Sequence, residues 1–137
     1  EVTDNVFEKS SRINSTWGGN LVDMIRCKQF INIIERDNIA DHVTQIGSHV
    51  IDGLRDIARA TDAFSSVRGC GSLIAFTLPT VAARGDMLNV LMDKGVIALP
   101  CGTRSVRFRL PLIMTMEEAS TLLERTGEAV HSQAATA

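Results

Sequence analysis

The chain has 137 residues, of which 45% are apolar and 22% are charged, and its formal net charge is −2 at pH 7. These values are typical of one soluble globular domain, and they argue against a disordered chain and against a nucleic-acid-binding protein with a basic face. No apolar stretch is long enough to cross a bilayer, so we expect no membrane association. Three widely spaced cysteines argue against a disulfide framework and favour a reducing cytoplasm.

The first part of the chain is predicted to be a loop followed by a long helix. Residues 1–17 are polar, and their hydroxyl and amide side chains favour irregular backbone. After Gly18 and Gly19, apolar residues recur every three or four positions to about residue 36, which is typical of a helix. They exceed one stripe, so we expect this helix to be buried on more than one side, as a connector between packed bodies would be. The apolar residues are Leu21, Val22, Met24, Ile25, Cys27, Phe30, Ile31, Ile33 and Ile34.

Two helices and two strands are predicted next. A break at Asp37-Asn38 precedes a second helix with one apolar face. The segment Arg68-Gly69-Cys70-Gly71 is interpreted as a turn, and Ser72–Leu78 as the strand that it enters. Val81–Lys94 has the spacing of a third helix, and Val96–Leu99 that of a short buried strand.

The last part of the chain contains a third strand and the most clearly marked helix. Ser105–Leu110 alternates, so Arg107 and Arg109 share the face opposite its apolar residues. Thr115 and Glu118 have the spacing of a capping box at the start of the final helix, and the small residues from about 131 onward predict a frayed tail. This order of elements predicts an α+β fold with a three-stranded sheet covered by helices on one side.

Two features of the sequence could bind anions. The segment 14–20 places hydroxyl groups and unhindered glycine backbone just before a helix, where the dipole and the free N–H groups favour a phosphate. The alternative is a capping loop in which Trp17 is a packing anchor. Arg107 and Arg109 would project about 6–7 Å apart from one sheet face, and guanidinium groups bind carboxylates through paired hydrogen bonds. The alternative for them is two solvated charges.

The histidines and cysteines are not expected to form a site. His42, His49 and His131 lack the spacing of metal ligands and are interpreted as solvated surface residues. Neither Cys70 nor Cys101 has a histidine close in sequence that could activate its thiol. We therefore expect no metal site and no cysteine nucleophile.

Three segments together resemble the class III aminotransferases, which depend on pyridoxal 5'-phosphate. Ser15–Asn20 is similar to their Ser-Thr-aromatic-Gly-Gly-Asn loop, and Arg68–Gly71 resembles their Arg-Gly-x-Gly motif. Val106–Leu112 looks like their Arg-x-x-Pro-Pro-Leu segment and keeps one of its two prolines. The resemblance runs from residue 4 to about residue 130. Within the family, the residues that flank the loop are most similar to the members that move the ε-amino group of lysine to 2-oxoglutarate.

The resemblance implies roles for four residues. Thr16 corresponds to the threonine that binds the cofactor phosphate across the interface of a homodimer, and Ser15 is its neighbour in that loop. Arg107 corresponds to the arginine that binds a substrate carboxylate, and Arg109 is a secondary candidate. The implied cofactor is pyridoxal 5'-phosphate, and the implied small-molecule substrates are lysine and 2-oxoglutarate.

The resemblance also implies the domain division of a fold-type I pyridoxal-phosphate enzyme. Residues 1–17 would end the large cofactor-binding domain, 18–38 would form an interdomain helix, 39–131 the C-terminal small domain, and 132–137 a flexible tail. The chain starts at Glu1 without an initiator methionine, so we expect it to begin inside a longer polypeptide.

The family's reaction needs a lysine that forms a Schiff base with the cofactor. None of Lys9, Lys28 and Lys94 corresponds to that lysine, so no catalytic residue is assigned and the chain alone is expected to be inactive. The alternative within the family is an enzyme that acts on ornithine or 4-aminobutyrate. The alternative outside it is a stand-alone α+β module that binds carboxylates through Arg107 and Arg109 without catalysis.

Overall fold

A computed structural model of the protein describes residues 15–134. Most of the predicted N-terminal loop, residues 1–14, and the end of the predicted tail, residues 135–137, lie outside the described residues. The chain divides into two compact units, Glu1–Asp37 and Asn38–Ala137, and each unit is described by itself.

The first unit contains one described helix, α1, which spans Leu21–Arg36. The side chain of Asn20 caps it by accepting a hydrogen bond from the N–H of Val22 at 2.9 Å. No residue of α1 is buried, and the Leu21 side chain is 71% exposed. The apolar side chains of α1 are thus exposed in this chain, because helical spacing identifies apolar surface but the residues that would cover a connector helix are not among those described.

The second unit contains three helices and four strands among the described residues. They are α2 (Ile39–Thr61), β1 (Ser65–Cys70), β2 (Leu73–Thr77), α3 (Val81–Asp93), β3 (Leu99–Cys101), β4 (Ser105–Arg109) and α4 (Met116–Ala134). The predicted α+β class is confirmed, and so are the four predicted helices, with small differences at their ends. Helix α4 continues to Ala134, beyond the point where the sequence predicted the tail to begin. None of the described helices combines the length and the apolar content that a bilayer crossing requires.

The four strands form one antiparallel sheet in the order β1-β2-β4-β3. Strands β2 and β4 are central, and their apolar residues face each other in register: Ile74 lies opposite Phe108, and Phe76 opposite Val106. On the other side of the same strands, Ala75 lies opposite Arg107. The sheet therefore has one apolar face and one face that carries the arginines.

The sequence predicted three strands, and the sheet has a fourth, β1. Its residues Arg68, Gly69 and Cys70 were interpreted as a turn because glycine and small polar residues lack the alternation of a typical strand. They form a strand because they pair with β2, where Arg68 lies opposite Ala75. Of that segment only Gly71, with φ +54°, lies in the turn, which it forms together with Ser72. The short strand predicted at Val96–Leu99 lies slightly later, at Leu99–Cys101, since pairing with β4 determines which residues join the ladder.

The core of the second unit lies between the apolar sheet face and the three helices. The Phe76 ring is fully buried, and its centroid lies 4.4 Å from that of Phe64 and 5.6 Å from that of Phe108. Helix α2 contributes Val50 and Leu54, which are also fully buried. This packing leaves the face with the arginines free of helices from the second unit.

Helix α4 begins with the capping box that the sequence predicted. The N–H of Thr115 donates to Oε2 of Glu118 at 2.8 Å, and the N–H of Glu118 donates to Oγ1 of Thr115 at 3.2 Å. Helix α3 has a simpler cap, in which Oγ1 of Thr80 accepts from the N–H of Ala83 at 3.0 Å. These caps determine where the chain leaves the sheet and turns into each helix.

Candidate functional site

The loop before α1 is a tight turn that exposes two hydroxyl groups. The N–H of Gly18 donates to the carbonyl oxygen of Ser15 at 3.0 Å, and a Cβ on Gly18 would lie 3.2 Å from that oxygen, so glycine suits the turn. Ser15 and Thr16 are exposed, and neither hydroxyl has a hydrogen-bond partner within the described residues. Trp17 is 75% exposed, so it is not a packing anchor in this chain.

This turn suits the phosphate of a cofactor. The two free hydroxyls lie beside the N-terminus of a 16-residue helix, where the macrodipole favours negative charge. Asp23 in the first turn of α1 would oppose an anion, but its carboxylate is paired with Arg26. The residues present therefore fit a phosphate monoester, with Ser15 and Thr16 as the side-chain donors.

Arg107 and Arg109 share one face of β4, as the sequence predicted, but their surroundings differ. Arg107 is half-buried, lies between Ala75 on β2 and Leu99 on β3, and has a buried Nε without a hydrogen-bond partner in the described residues. Arg109 is exposed and lies opposite Leu73. Nε of Arg84 is also buried without a partner in the described residues, so the half-buried position of Arg107 on the sheet face is what makes it a stronger candidate than Arg109 for binding an anion.

The two arginines line different hollows. Arg107 borders a hollow of about 200 Å³ together with Arg68 and Ala75. Arg109 borders a second hollow of about 300 Å³ with apolar side chains and Arg125. Arg107 and Arg109 thus border different hollows although they share a strand face, and Arg68 is the arginine that lines the same hollow as Arg107.

Arg68 is a charged neighbour of Arg107 that the sequence pattern does not mark as a binding residue, because its segment has the composition of a turn. Its Nη1 donates to the carbonyl oxygen of Ser66 at 2.8 Å and to Oγ1 of Thr77 at 3.1 Å. Its Nη2 donates to Oγ of Ser105 at 3.0 Å. The one hint in the sequence is that its partners Thr77 and Ser105 are polar residues inside predicted strands.

Two histidines of α2 form hydrogen bonds with segments that are distant in sequence. Nε2 of His42 lies 2.8 Å from the carbonyl oxygen of Met114, and Nε2 of His49 lies 3.3 Å from Oγ of Ser120. Both residues are partly exposed, so each is a surface histidine, as expected, that also contacts a distant segment. The partners lie about 70 residues away, which is why spacing along the chain could not reveal them.

The described lysines and acidic residues do not converge on a reactive centre. Lys28 lies exposed on α1, and Nζ of Lys94 pairs with Oε2 of Glu128 at 3.0 Å. Lys9 lies outside the described residues. Within residues 15–134, no three histidine, cysteine or acidic side chains lie close enough together to hold a metal ion.

Known proteins resemble this chain in sequence over nearly its whole length. A family model described as aminotransferase class-III matches residues 2–130. An L-lysine-epsilon aminotransferase of Streptomyces clavuligerus is 42% identical over 132 residues, which are 95% of this chain and 29% of that protein. The protein of the same name from Amycolatopsis lactamdurans is 43% identical over 135 residues, which are 97% of this chain and 30% of that protein.

The fold is also similar to that of a solved lysine aminotransferase. The solved lysine aminotransferase of M. tuberculosis superposes with a TM-score of 0.83 at 37% identity, over 96% of this chain and 30% of that one. The chain thus spans less than a third of the length of the relatives that it matches.

Proposed function

The chain belongs to the class-III aminotransferase family, and we propose that it is the C-terminal part of a pyridoxal-phosphate-dependent enzyme that moves the ε-amino group of lysine to 2-oxoglutarate. The lysine donor is supported by the lysine aminotransferases that match nearly the whole chain. In this proposal residues 1–17 belong to the end of the large domain, 18–38 connect the two domains, and 39–131 form the small domain. The exposed apolar side chains of α1 support the connector role, because they offer a surface that a further domain can cover.

Ser15 and Thr16 are the residues proposed to hold the cofactor. Pyridoxal 5'-phosphate, when bound, supplies the electron sink and the carrier of the amino group. The two hydroxyls would donate to its phosphate, and the N-terminus of α1 would add a favourable field. In the proposed homodimer, Thr16 serves the site of the neighbouring subunit.

Arg107 is proposed to bind a carboxylate of 2-oxoglutarate, with Arg109 as a secondary contact. The observation that carries this assignment is the position of Arg107, which is half-buried beside an open hollow and takes no part in the ion pairs found within residues 15–134. A carboxylate in that hollow would accept hydrogen bonds from the guanidinium and offset its positive charge. The chain itself is proposed to bind and orient the acceptor substrate.

The reacting lysine is proposed to lie in the upstream domain. Lys94 forms an ion pair with Glu128, and Lys28 lies on α1. Neither is assigned a catalytic role, so we propose that this chain does not transfer amino groups without that domain.

The test of the assignment is Arg107→Ala in the complete enzyme. A charged hydrogen bond contributes roughly 1.5–3 kcal/mol, so we expect the KM for 2-oxoglutarate to rise at least about tenfold. Arg55→Ala is the matched control, since Arg55 is an exposed arginine on α2, and its kinetics should remain those of the unmodified enzyme. A change confined to the kinetics of the amine donor would contradict the acceptor assignment.

A second candidate keeps the chemistry and changes the donor to ornithine or 4-aminobutyrate. A panel of amines assayed with the complete enzyme at a fixed concentration of 2-oxoglutarate separates the candidates. The lysine proposal requires the highest kcat/KM for lysine.

A further inference from the structure

The sheet face that carries Arg107 has an unbalanced charge. Residues that pair across an antiparallel sheet point to the same side, so the strand register defines this open face. It consists of Ser65, Arg68, Cys70, Leu73, Ala75, Thr77, Leu99, Cys101, Ser105, Arg107 and Arg109. The set holds three arginines and no acidic residue. The ion pairs found in the described chain lie elsewhere, so these positive charges are not neutralised within it.

Arg68 is held in place on the open face. Its guanidinium donates to Ser66, Thr77 and Ser105, and so reaches from β1 across β2 to β4. Oγ1 of Thr77 and Oγ of Ser105 are themselves 3.0 Å apart and hydrogen-bonded. A guanidinium with three defined acceptors loses little further entropy when an anion approaches, so its charge is preorganised.

The anchored end of Arg68 lies next to Arg107. Ser105, which accepts from Arg68, precedes Arg107 by two residues on the same strand and face, a separation of about 6–7 Å. Between the two arginines lies Ala75, whose small side chain leaves the hollow of about 200 Å³. An anion bound to Arg107 would therefore lie within the field of a second, fixed cation.

We propose that Arg68 is a specificity-determining residue, a second positive charge that favours a dicarboxylate over a monocarboxylate 2-oxo acid at the Arg107 site. The inference rests on the proposed function and adds a selectivity that Arg107 alone does not give. Arg107 can bind one carboxylate of either class of acceptor. Because a dicarboxylate carries twice the charge, its interaction with the Arg68 guanidinium is the larger one.

The experiment compares Arg68→Gln, Arg68→Lys and Arg55→Gln in the complete enzyme. The ratio of kcat/KM for 2-oxoglutarate to that for pyruvate should fall about three- to tenfold in Arg68→Gln, as expected for a partly screened charge near a protein surface. The loss should lie in KM, with kcat for 2-oxoglutarate within about twofold. Arg68→Lys keeps the charge and should keep most of the ratio, and Arg55→Gln should leave it unchanged.

A binding measurement separates this inference from the proposed function. Calorimetric titration with glutarate and with butyrate measures the same selectivity without any amino transfer. Weaker glutarate binding in Arg68→Gln, with butyrate binding unchanged, supports the inference even if lysine proves not to be the donor. If Arg68→Gln leaves the selectivity unchanged while Arg107→Ala still weakens the binding of 2-oxoglutarate, the role of Arg68 is overturned. The proposed function then stands. Equal losses of selectivity in Arg68→Gln and Arg68→Lys, with lowered melting temperatures, would also overturn the role of Arg68. The hydrogen bonds of Arg68, rather than its charge, would then be responsible.

Discussion

Helix α2 closely approaches the hairpin of β1 and β2 at Gly47, and this contact gives a sharp test of the structure. Gly47 faces Gly71 in the turn between β1 and β2, the hairpin that carries Arg68. A Cβ at Gly47 would lie 2.2 Å from the carbonyl oxygen of Gly71 and 2.9 Å from its Cα. Both obstacles are backbone atoms, so no side chain can rotate away. In Gly47→Ala the helix or the hairpin must move.

Two opposing effects determine how much Gly47→Ala changes the free energy of unfolding. Alanine is favoured over glycine in a helix by about 1 kcal/mol, which would stabilise the variant. Overpacking a buried site costs about 1–3 kcal/mol and occasionally more, and a contact this short with backbone belongs at the upper end. Displacing α2 would also disturb Ile46 and Val50, which are buried beside Gly47. We expect a net loss of about 1–2 kcal/mol or more, which lowers the melting temperature of a unit this size by several degrees.

The assay is thermal unfolding of the chain followed by circular dichroism. Gly85→Ala is the matched control, because Gly85 lies within α3 and its Cβ would meet no atom within 4 Å. That variant should gain about 0.5–1 kcal/mol from helix propensity alone. If Gly47→Ala melted at or above the temperature of the unmodified chain, the close approach of α2 to the hairpin would be refuted.

Two further predictions concern the first unit. Thr16→Val in the complete enzyme should weaken retention of pyridoxal 5'-phosphate during dialysis, measured by the absorbance of the cofactor. Thr16→Ser keeps the hydroxyl group and should retain the cofactor. Equal retention by both variants would exclude the phosphate contact. The hydrogen bonds from Arg36, at 2.7 and 2.8 Å, hold the pKa of the Asp37 carboxyl below its ordinary value of 3.8. A lowered pKa means that the fold favours the ionised form, so this contribution to stability is present above the ordinary pKa and is lost as the pH falls through the lowered one. NMR titration should show the low pKa of Asp37 returning toward 3.8 in Arg36→Gln, and an unchanged pKa would show that the pair does not form in solution.

The helices and the arginine-bearing strand could be predicted because their signals are local. Apolar spacing marked α1 to α4, and the capping box of Thr115 and Glu118 lies within four residues of sequence. Strand alternation placed Arg107 and Arg109 on one face, and the register agrees. The turn with Ser15 and Thr16 likewise depends on neighbours in sequence. In each case the residues that interact are close along the chain, so the sequence itself specifies the geometry.

Tertiary structure decided the fourth strand, the partners of the site and the exposure of α1. Strand β1 has little intrinsic preference for a strand and exists because β2 supplies its ladder. The bond from Arg68 to Ser105 joins residues 37 positions apart, and the unpaired Nε of Arg107 is a consequence of packing against strands on both sides. Such features depend on which distant segments meet and how much water they exclude. A periodic pattern records where apolar surface lies along the chain, whereas pairing and burial are properties of the folded arrangement.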